Sequence, residues 1–151
     1  MSTQLSFLPK IDRKETQRRV EEALETARIY KQIGFVRREI SNTPSYEARF
    51  HGRTNKTSAP VEDCVVWNVA NEERLRVLTE RVERAVSRLN RREREIITRR
   101  YLEDETATDY LTWPEIGMSE MQYYRVKGEA FYKLAFMLGM EVYKEEVAAA
   151  G

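Results

Sequence analysis

Three side chains near the carboxyl end have the types and spacing that contact base edges in duplex DNA. Gln122, Tyr124 and Arg125 lie within about one helical turn of one another, shortly after Ser119. A glutamine amide can pair with adenine, and an arginine guanidinium with guanine, through two hydrogen bonds each. A tyrosine can touch a thymine methyl group or a phosphate. These residues therefore predict the DNA-facing side of a recognition helix.

The residues around this helix predict a helix-turn-helix over 109–138. Gly117 supplies the backbone freedom for a sharp turn. Ser119 is expected to cap the second helix in a capping box with Gln122, and Met118 is expected to pack against Tyr123. Helical spacing predicts an inward face made of Tyr110, Thr112, Trp113, Ile116, Tyr123, Val126, Ala130 and Leu134, flanked by Lys127 and Phe131. Pro114 removes a backbone donor, so the end of the first helix stays open.

Arginines cluster upstream of the turn, between Arg84 and Arg100, and only Glu93 and Glu95 oppose them there. Because the net charge of the chain is only +1, binding to phosphates has to come from such a local surface. Arg92 and Arg100 can instead pair with Glu93 or Glu103. The full set of candidate DNA contacts is Arg92, Arg99, Arg100, Ser119, Glu120, Met121, Gln122, Tyr124, Arg125 and Lys127.

The elements that must position these groups are predicted to be helical, so we expect an all-α fold: a helical N-terminal arm and a C-terminal helix-turn-helix bundle. Charged residues make up 34% of the chain and hydrophobic residues 41%, which is typical of amphipathic helices. One helix is predicted from Ile11 to Gly34 with Asp12 as its cap. Another follows the apolar stripe over 67–89, which packs within the chain or in a short coiled coil. A third begins at Asn90, in a capping box with Glu93.

Four regions follow from this pattern. Residues 1–40 are expected to form an N-terminal helical region, and 41–63 a loop or hinge because proline and glycine lie there among Ser, Thr and Asn. Residues 64–144 are expected to form the helical bundle, and 145–151 a flexible tail.

The sequence offers no residue set for catalysis or for a metal. Cys64 is the single cysteine and His51 the single histidine, so no thiolate zinc site or internal disulfide can form within one chain. The carboxylates at Glu103, Asp104, Glu105 and Asp109 fit a solvated connector. We therefore expect no enzyme, no cofactor and no metal. Without an export signal or an apolar span of about 20 residues, a cytoplasmic protein that is not in the membrane is expected.

Several sequence blocks resemble the ArpU family of phage late-gene transcriptional regulators over most of the chain. They are Ser6-Phe7-Leu8-Pro9-Lys10-Ile11-Asp12, Glu115-Ile116-Gly117-Met118-Ser119-Glu120, Tyr123-Tyr124-Arg125-Val126-Lys127, Ala130 to Leu138, and Glu141-Val142-Tyr143-Lys144. The C-terminal third also resembles sigma-factor region 4, through Leu89-Asn90-Arg91-Arg92-Glu93, Arg100-Tyr101-Leu102 and the helix from Ser119 to Leu134. The resemblance implies a cytoplasmic regulator of late genes in a phage or prophage of a Gram-positive host.

We therefore expect a sequence-specific transcriptional regulator that reads double-stranded promoter DNA. Its N-terminal helices would form a homodimer or contact RNA polymerase. Sigma-like activity is the alternative within transcription, although the residues before Leu89 do not resemble a promoter-melting domain. The alternative from another class is a phage assembly or DNA-packaging adaptor that uses the bundle for protein–protein interaction.

Overall fold

The computed structural model describes residues 10–39 and 55–144, and of residues 55–59 the backbone only. The described chain forms α1 (Arg13–Ile33), α2 (Asn55–Ser87), α3 (Arg91–Ile97), α4 (Asp109–Glu115) and α5 (Glu120–Leu138), with a π-helical segment, Thr98–Glu103, continuing α3. The only β pairing in these residues is one bridge between Ile11 and Tyr143. None of the described helices has the length and apolar character needed to cross a membrane. The expected all-α fold is confirmed.

The first helix begins and ends where its sequence predicts. The Asp12 carboxylate accepts a hydrogen bond from the Glu15 amide at 3.2 Å, which satisfies a free donor at the helix start. Val20, Ala23, Leu24 and Ala27 recur at helical spacing and are all buried. Beyond Ile33, Gly34 adopts a φ of 87°, which a residue with a side chain rarely adopts.

This helix is part of the bundle and not an arm, which corrects the expected architecture. Val20 and Leu24 are fully buried in one hydrophobic cluster with Val82 of α2 and Leu134 of α5. The Tyr101 hydroxyl also donates to the Glu21 carboxylate at 3.0 Å, joining the π-helical segment to α1. An amphipathic helix has to bury its apolar stripe, and here α2, α5 and the π-helical segment cover it.

The second helix begins at Asn55, so the loop expected over 41–63 is wrong from residue 55 onward. Pro60 is the sixth residue of this helix, beyond its four unpaired first amides, so it removes one helical hydrogen bond and the helix continues through it. The carboxyl half of α2 packs within the chain through Val82, Ala85 and Val86, and Leu89 directly after it joins the same cluster, which is the first of the two expected arrangements. Residues 41–54, which include His51, and the tail 145–151 lie outside the described residues.

Replacing Leu24 tests whether α1 is integral to the core. Because Leu24 is fully buried, Leu24→Ala is expected to lower the free energy of unfolding by about 2–5 kcal/mol in urea titrations. Ile33→Ala is the matched control, since Ile33 is 74% exposed, and its effect should stay within about 0.5 kcal/mol. Similar small effects for both variants would mean that α1 packs as a dispensable arm.

Candidate nucleic-acid interface

Residues 108–119 form the first helix and the tight turn of a helix-turn-helix. The Thr108 side chain caps α4 by accepting from the Leu111 amide at 3.2 Å. At the far end Gly117 adopts a φ of 71°. The Met118 amide then donates to the Trp113 carbonyl at 3.0 Å, which closes the turn. The predicted turn at Gly117 is confirmed, and α4 ends at Glu115, directly after Pro114.

The second helix of the motif is anchored at its first residues. Ser119 Oγ accepts from the Gln122 amide at 3.3 Å, which confirms the predicted cap. Within the described residues the Ser119 amide donates no hydrogen bond to the Gln122 side-chain oxygen. Only half of the predicted capping box therefore forms. Met118 and Tyr123 share a buried cluster with Ile96 and Ile116, as the predicted contact between them requires.

The inward face of the motif is largely the predicted one. Tyr123, Ala130 and Leu134 are fully buried on α5, and Thr112 is buried on α4. Tyr110 is the exception, since it is 75% exposed and its ring lies edge-on to Trp113. The predicted inward position of Tyr110 is therefore wrong. In the seven-residue helix α4 it is Thr112 that faces the interior, and Ile116, directly after the helix, is buried as well.

The outward face of the first turns of α5 is open to solvent. Met121 is 84% exposed and Tyr124 46% exposed. The neighbouring side chains on the same surface are also exposed: Ser119, Glu120, Gln122 and Arg125. Tyr124 packs edge-on against Tyr123 with ring centroids 5.2 Å apart, so the core orients this tyrosine even though half of it is free. This outward face, residues 119–125 without Tyr123, is called the reading surface below.

Two of the predicted phosphate contacts lie beside the turn and are weakly held. Arg92 reaches the Ile116 carbonyl at 3.5 Å and Glu95 at 3.7 Å, and 57% of its side chain is exposed. Arg99 pairs with Glu115 at 3.1 Å, with 41% of its side chain exposed. Surface ion pairs of this kind contribute only about 0–1 kcal/mol, so both guanidinium groups can exchange their partners for phosphates. The expected pairing of Arg92 with Glu93 is not the one observed.

Arg100 and Lys127, two further predicted DNA contacts, both pair with the Asp109 carboxylate. Arg100 donates to Asp109 at 3.2 Å and to the Ala107 carbonyl at 3.0 Å, and its guanidinium lies 4.5 Å above the Tyr101 ring. Lys127, only 6% exposed, places Nζ 2.8 Å from the Asp109 carboxylate. The Lys127 assignment is corrected, because a buried cation held by a carboxylate is not free to bind DNA, whereas Arg100, with 26% of its side chain exposed, stays a prediction. Arg100 also does not pair with Glu103.

Asp109 therefore lies at the centre of a network. Its acidic neighbours had led us to expect a solvated connector, and for Asp109 that expectation is wrong. Its carboxylate receives the Tyr123 hydroxyl at 2.5 Å as well as Lys127 and Arg100. Partial burial raises the pKa of Asp109, but hydrogen bonds from Lys127 and Tyr123, with the two nearby cations, outweigh it and hold the pKa below its ordinary value. Burial, and then the bond to Asp109, raises the pKa of Tyr123, which stays protonated and donates.

The spacing of residues along α5 indicates this network, although the composition of the chain does not. Lys127 lies four residues after Tyr123 and three before Ala130, so it belongs to the buried side of α5. A lysine in that position requires an anionic partner. Asp109, the first residue of α4 after its Thr108 cap, is the carboxylate that the turn brings within reach.

The described residues contain no group of side chains suited to a metal ion. Among residues 10–39 and 55–144, no three His, Cys, Asp or Glu side chains are placed to hold a metal ion. Cys64 contacts the Arg38 carbonyl at 3.2 Å from Sγ. No family model, curated protein or solved structure matches this chain.

Replacing Asp109 tests the network. Asp109→Asn keeps the shape but leaves Lys127 without a compensating charge. We expect a loss of about 2–3 kcal/mol, below the ~3–5 kcal/mol of a fully buried pair because 23% of the Asp109 side chain is exposed. Urea unfolding measures it, and Glu115→Gln on the exposed pair with Arg99 is the matched control, with an expected loss below about 1 kcal/mol. Equal losses would reduce the network to an ordinary surface pair.

The same carboxylate predicts an acid-sensitive bundle. Because the folded pKa of Asp109 is lowered, its stabilisation is complete above the pKa of the unfolded chain, about 3.9. It is lost as the pH falls through the lower folded pKa. The stability difference between the natural chain and Asp109→Asn should therefore shrink when urea midpoints are followed from about pH 6 to about pH 2. A difference that stays constant over this range would show that the charge of Asp109 is not what stabilises the bundle.

Proposed function

We propose that this chain is a sequence-specific DNA-binding transcriptional regulator of phage or prophage late genes, and that α5 reads promoter DNA. One observation carries the proposal: α5 is fixed from behind by a buried face, while the outward side of its first turns presents exposed polar and apolar side chains. The major groove is about 12 Å wide and accepts a helix. A helix anchored and exposed in this way can enter it without rearranging the bundle.

The reading surface carries complementary groups for several base edges. Gln122 suits adenine and Arg125 suits guanine, because each can form two hydrogen bonds in one plane. Glu120 can accept from the cytosine amino group, and Met121 offers an apolar contact to a thymine methyl group. Since these side chains come from the first two turns of α5, they occupy the part of a recognition helix that enters the groove first.

Phosphate contacts on both sides of the groove would fix the register. Arg92 and Arg99 flank the turn and have weak, exposed partners. The free amides at the Ser119 end of α5 and the positive end of its dipole favour a phosphate there. Tyr110 extends from α4 with 75% of its surface exposed, and its hydroxyl is suited to a phosphate oxygen.

The resemblance to the ArpU family supports the biological setting, which is late-gene control in the cytoplasm of a bacterial host and contact with RNA polymerase.

The adaptor alternative has one observation in its favour. Tyr132 and Phe136, at the other end of α5, are 64% and 74% exposed, and such aromatic side chains suit a protein partner. The two functions differ in their dependence on salt, because duplex binding releases counterions and protein docking need not.

Duplex binding by wild-type chain and Arg125→Ala is the decisive test. A preferred site is first selected from a random-sequence pool, and fluorescence anisotropy then follows its affinity from low to high salt. We expect binding to weaken steeply with salt. Arg125→Ala should lose about 1–3 kcal/mol on the preferred site and much less on random duplex. Arg13→Ala is the matched control, since Arg13 is exposed on α1.

Two results would redirect the interpretation of this titration. Equal losses on preferred and random duplex would make Arg125 a phosphate contact and not a base contact. Failure of the natural chain to bind any duplex at low salt, or a loss for Arg13→Ala as large as that for Arg125→Ala on the preferred site, would contradict the proposal and favour the adaptor.

A further inference from the structure

A groove between the last turns of α2 and of α5 combines apolar side chains with three arginines. Its volume is about 370 Å³, within the ~300–1,000 Å³ of binding clefts. Phe136 and Met137 of α5 line it together with Arg81, Arg84 and Arg88 of α2. Because Phe136 is 74% exposed, its ring adds little to the core, and a ligand that covered it would gain free energy from apolar burial. These residues form the basic groove.

The chain around the basic groove does not neutralise its arginines. Among the described residues no carboxylate lines it. The two glutamates nearest in sequence on α2 pair elsewhere. Glu80 binds Arg76 at 2.9 Å, and Glu83 binds Lys31 of α1 at 2.7 Å. Arg81 donates to a backbone carbonyl at 3.1 Å, which is a neutral partner. The groove therefore carries uncompensated positive charge.

The spacing of the arginines suits a row of carboxylates. Arg81, Arg84 and Arg88 are three and four residues apart, so they lie on one side of α2 over about 10 Å. A guanidinium is planar and binds a carboxylate through two parallel hydrogen bonds. Met137 has a flexible thioether that adapts to apolar side chains of different shapes. The charge therefore favours an acidic ligand, and the exposed ring favours one that also carries an apolar group.

We propose that the basic groove binds an acidic segment of a partner protein, in which aspartate or glutamate residues flank a bulky apolar side chain. The carboxylates pair with Arg84 and Arg88, and the apolar side chain covers Phe136. A DNA backbone offers the same negative charge but little apolar surface, so it would leave Phe136 exposed. The chemistry of the groove is therefore better matched by protein than by duplex DNA.

The basic groove and the reading surface lie toward opposite ends of α5. Phe136 is 14 residues after Gln122, which corresponds to about 21 Å along the helix. A partner can therefore occupy the groove while the first turns of α5 contact DNA. Binding of the acidic segment uses none of the residues of the reading surface, so the groove can bind its partner in a chain that does not bind DNA.

Peptides selected against the natural chain test the basic groove. A random pool of short peptides is enriched on the immobilised chain, and the selected peptides are labelled with fluorescein and titrated by fluorescence anisotropy. We expect acidic residues around an aromatic residue or leucine. Arg84→Glu and Arg88→Glu should each weaken binding by about tenfold or more, because each opposes a carboxylate. Phe136→Ala should weaken it by about fivefold.

Matched controls separate the groove from general charge attraction. Arg13→Glu makes the same charge change on an exposed position of α1, and Ile33→Ala removes a side chain that is as exposed as Phe136. Both should bind the selected peptides like the natural chain, and a scrambled peptide of equal charge should bind much more weakly. Circular dichroism verifies that each variant is folded.

Three results would overturn the proposal. The first is a selection that yields no binding peptide or yields peptides without an excess of acidic residues. The second is unchanged binding of the selected peptides by Arg84→Glu and Arg88→Glu. The third is a loss of random-duplex binding in these two variants, beyond that of Arg13→Glu and as large as their loss of peptide binding, which would place the groove in a DNA interface. A natural chain that binds the peptides but no duplex would contradict only the proposed function.

Discussion

The ion pair between Lys127 and Asp109 is the constraint on which the helix-turn-helix of the molecule depends. Lys127 lies on the buried face of α5, and Asp109 is the first residue of α4, so the pair joins the two helices of the motif. Removing either charge from the pair would leave the other in a poorly solvated place. Because Arg100 and Tyr123 use the same carboxylate, the π-helical segment and the core side of α5 are held at the same point.

A second buried carboxylate fixes the other end of α5. Glu93 is fully buried, caps α3 by accepting from the Asn90 amide at 3.0 Å, and receives Lys133 Nζ at 3.0 Å. Lys127 and Lys133 are six residues apart, so α5 is tied at two heights to two different parts of the chain. With Ala130 and Leu134 packed between and beyond them, neither translation nor rotation of α5 is free. The outward face is therefore presented in a fixed orientation.

Local rules predicted three helix starts and the turn because their causes are local, whereas the start of α2 at Asn55 was missed. Three helices are capped by Asp12, Asn90 and Ser119, and each of these side chains accepts a hydrogen bond from the amide three residues later. The turn at Gly117 depends only on the backbone freedom of that glycine. The contacts of Lys127 and Asp109 could not follow from composition, since they are separated by 18 residues and meet only once the turn is formed. Judged by neighbours in sequence, Asp109 belongs to an acidic loop.

The length of α2 explains why one fold has both a closed core and an open apolar surface. At about 1.5 Å per residue, a 33-residue helix is about 50 Å long, whereas the 21 residues of α1 span about 32 Å. The main core contacts of α2 come from its carboxyl half, from Leu78 onward. Among the described residues, the extended chain after α1 covers one side of the helix before that point. The valines on its other side are exposed, so within the described chain they add little buried apolar area to the core.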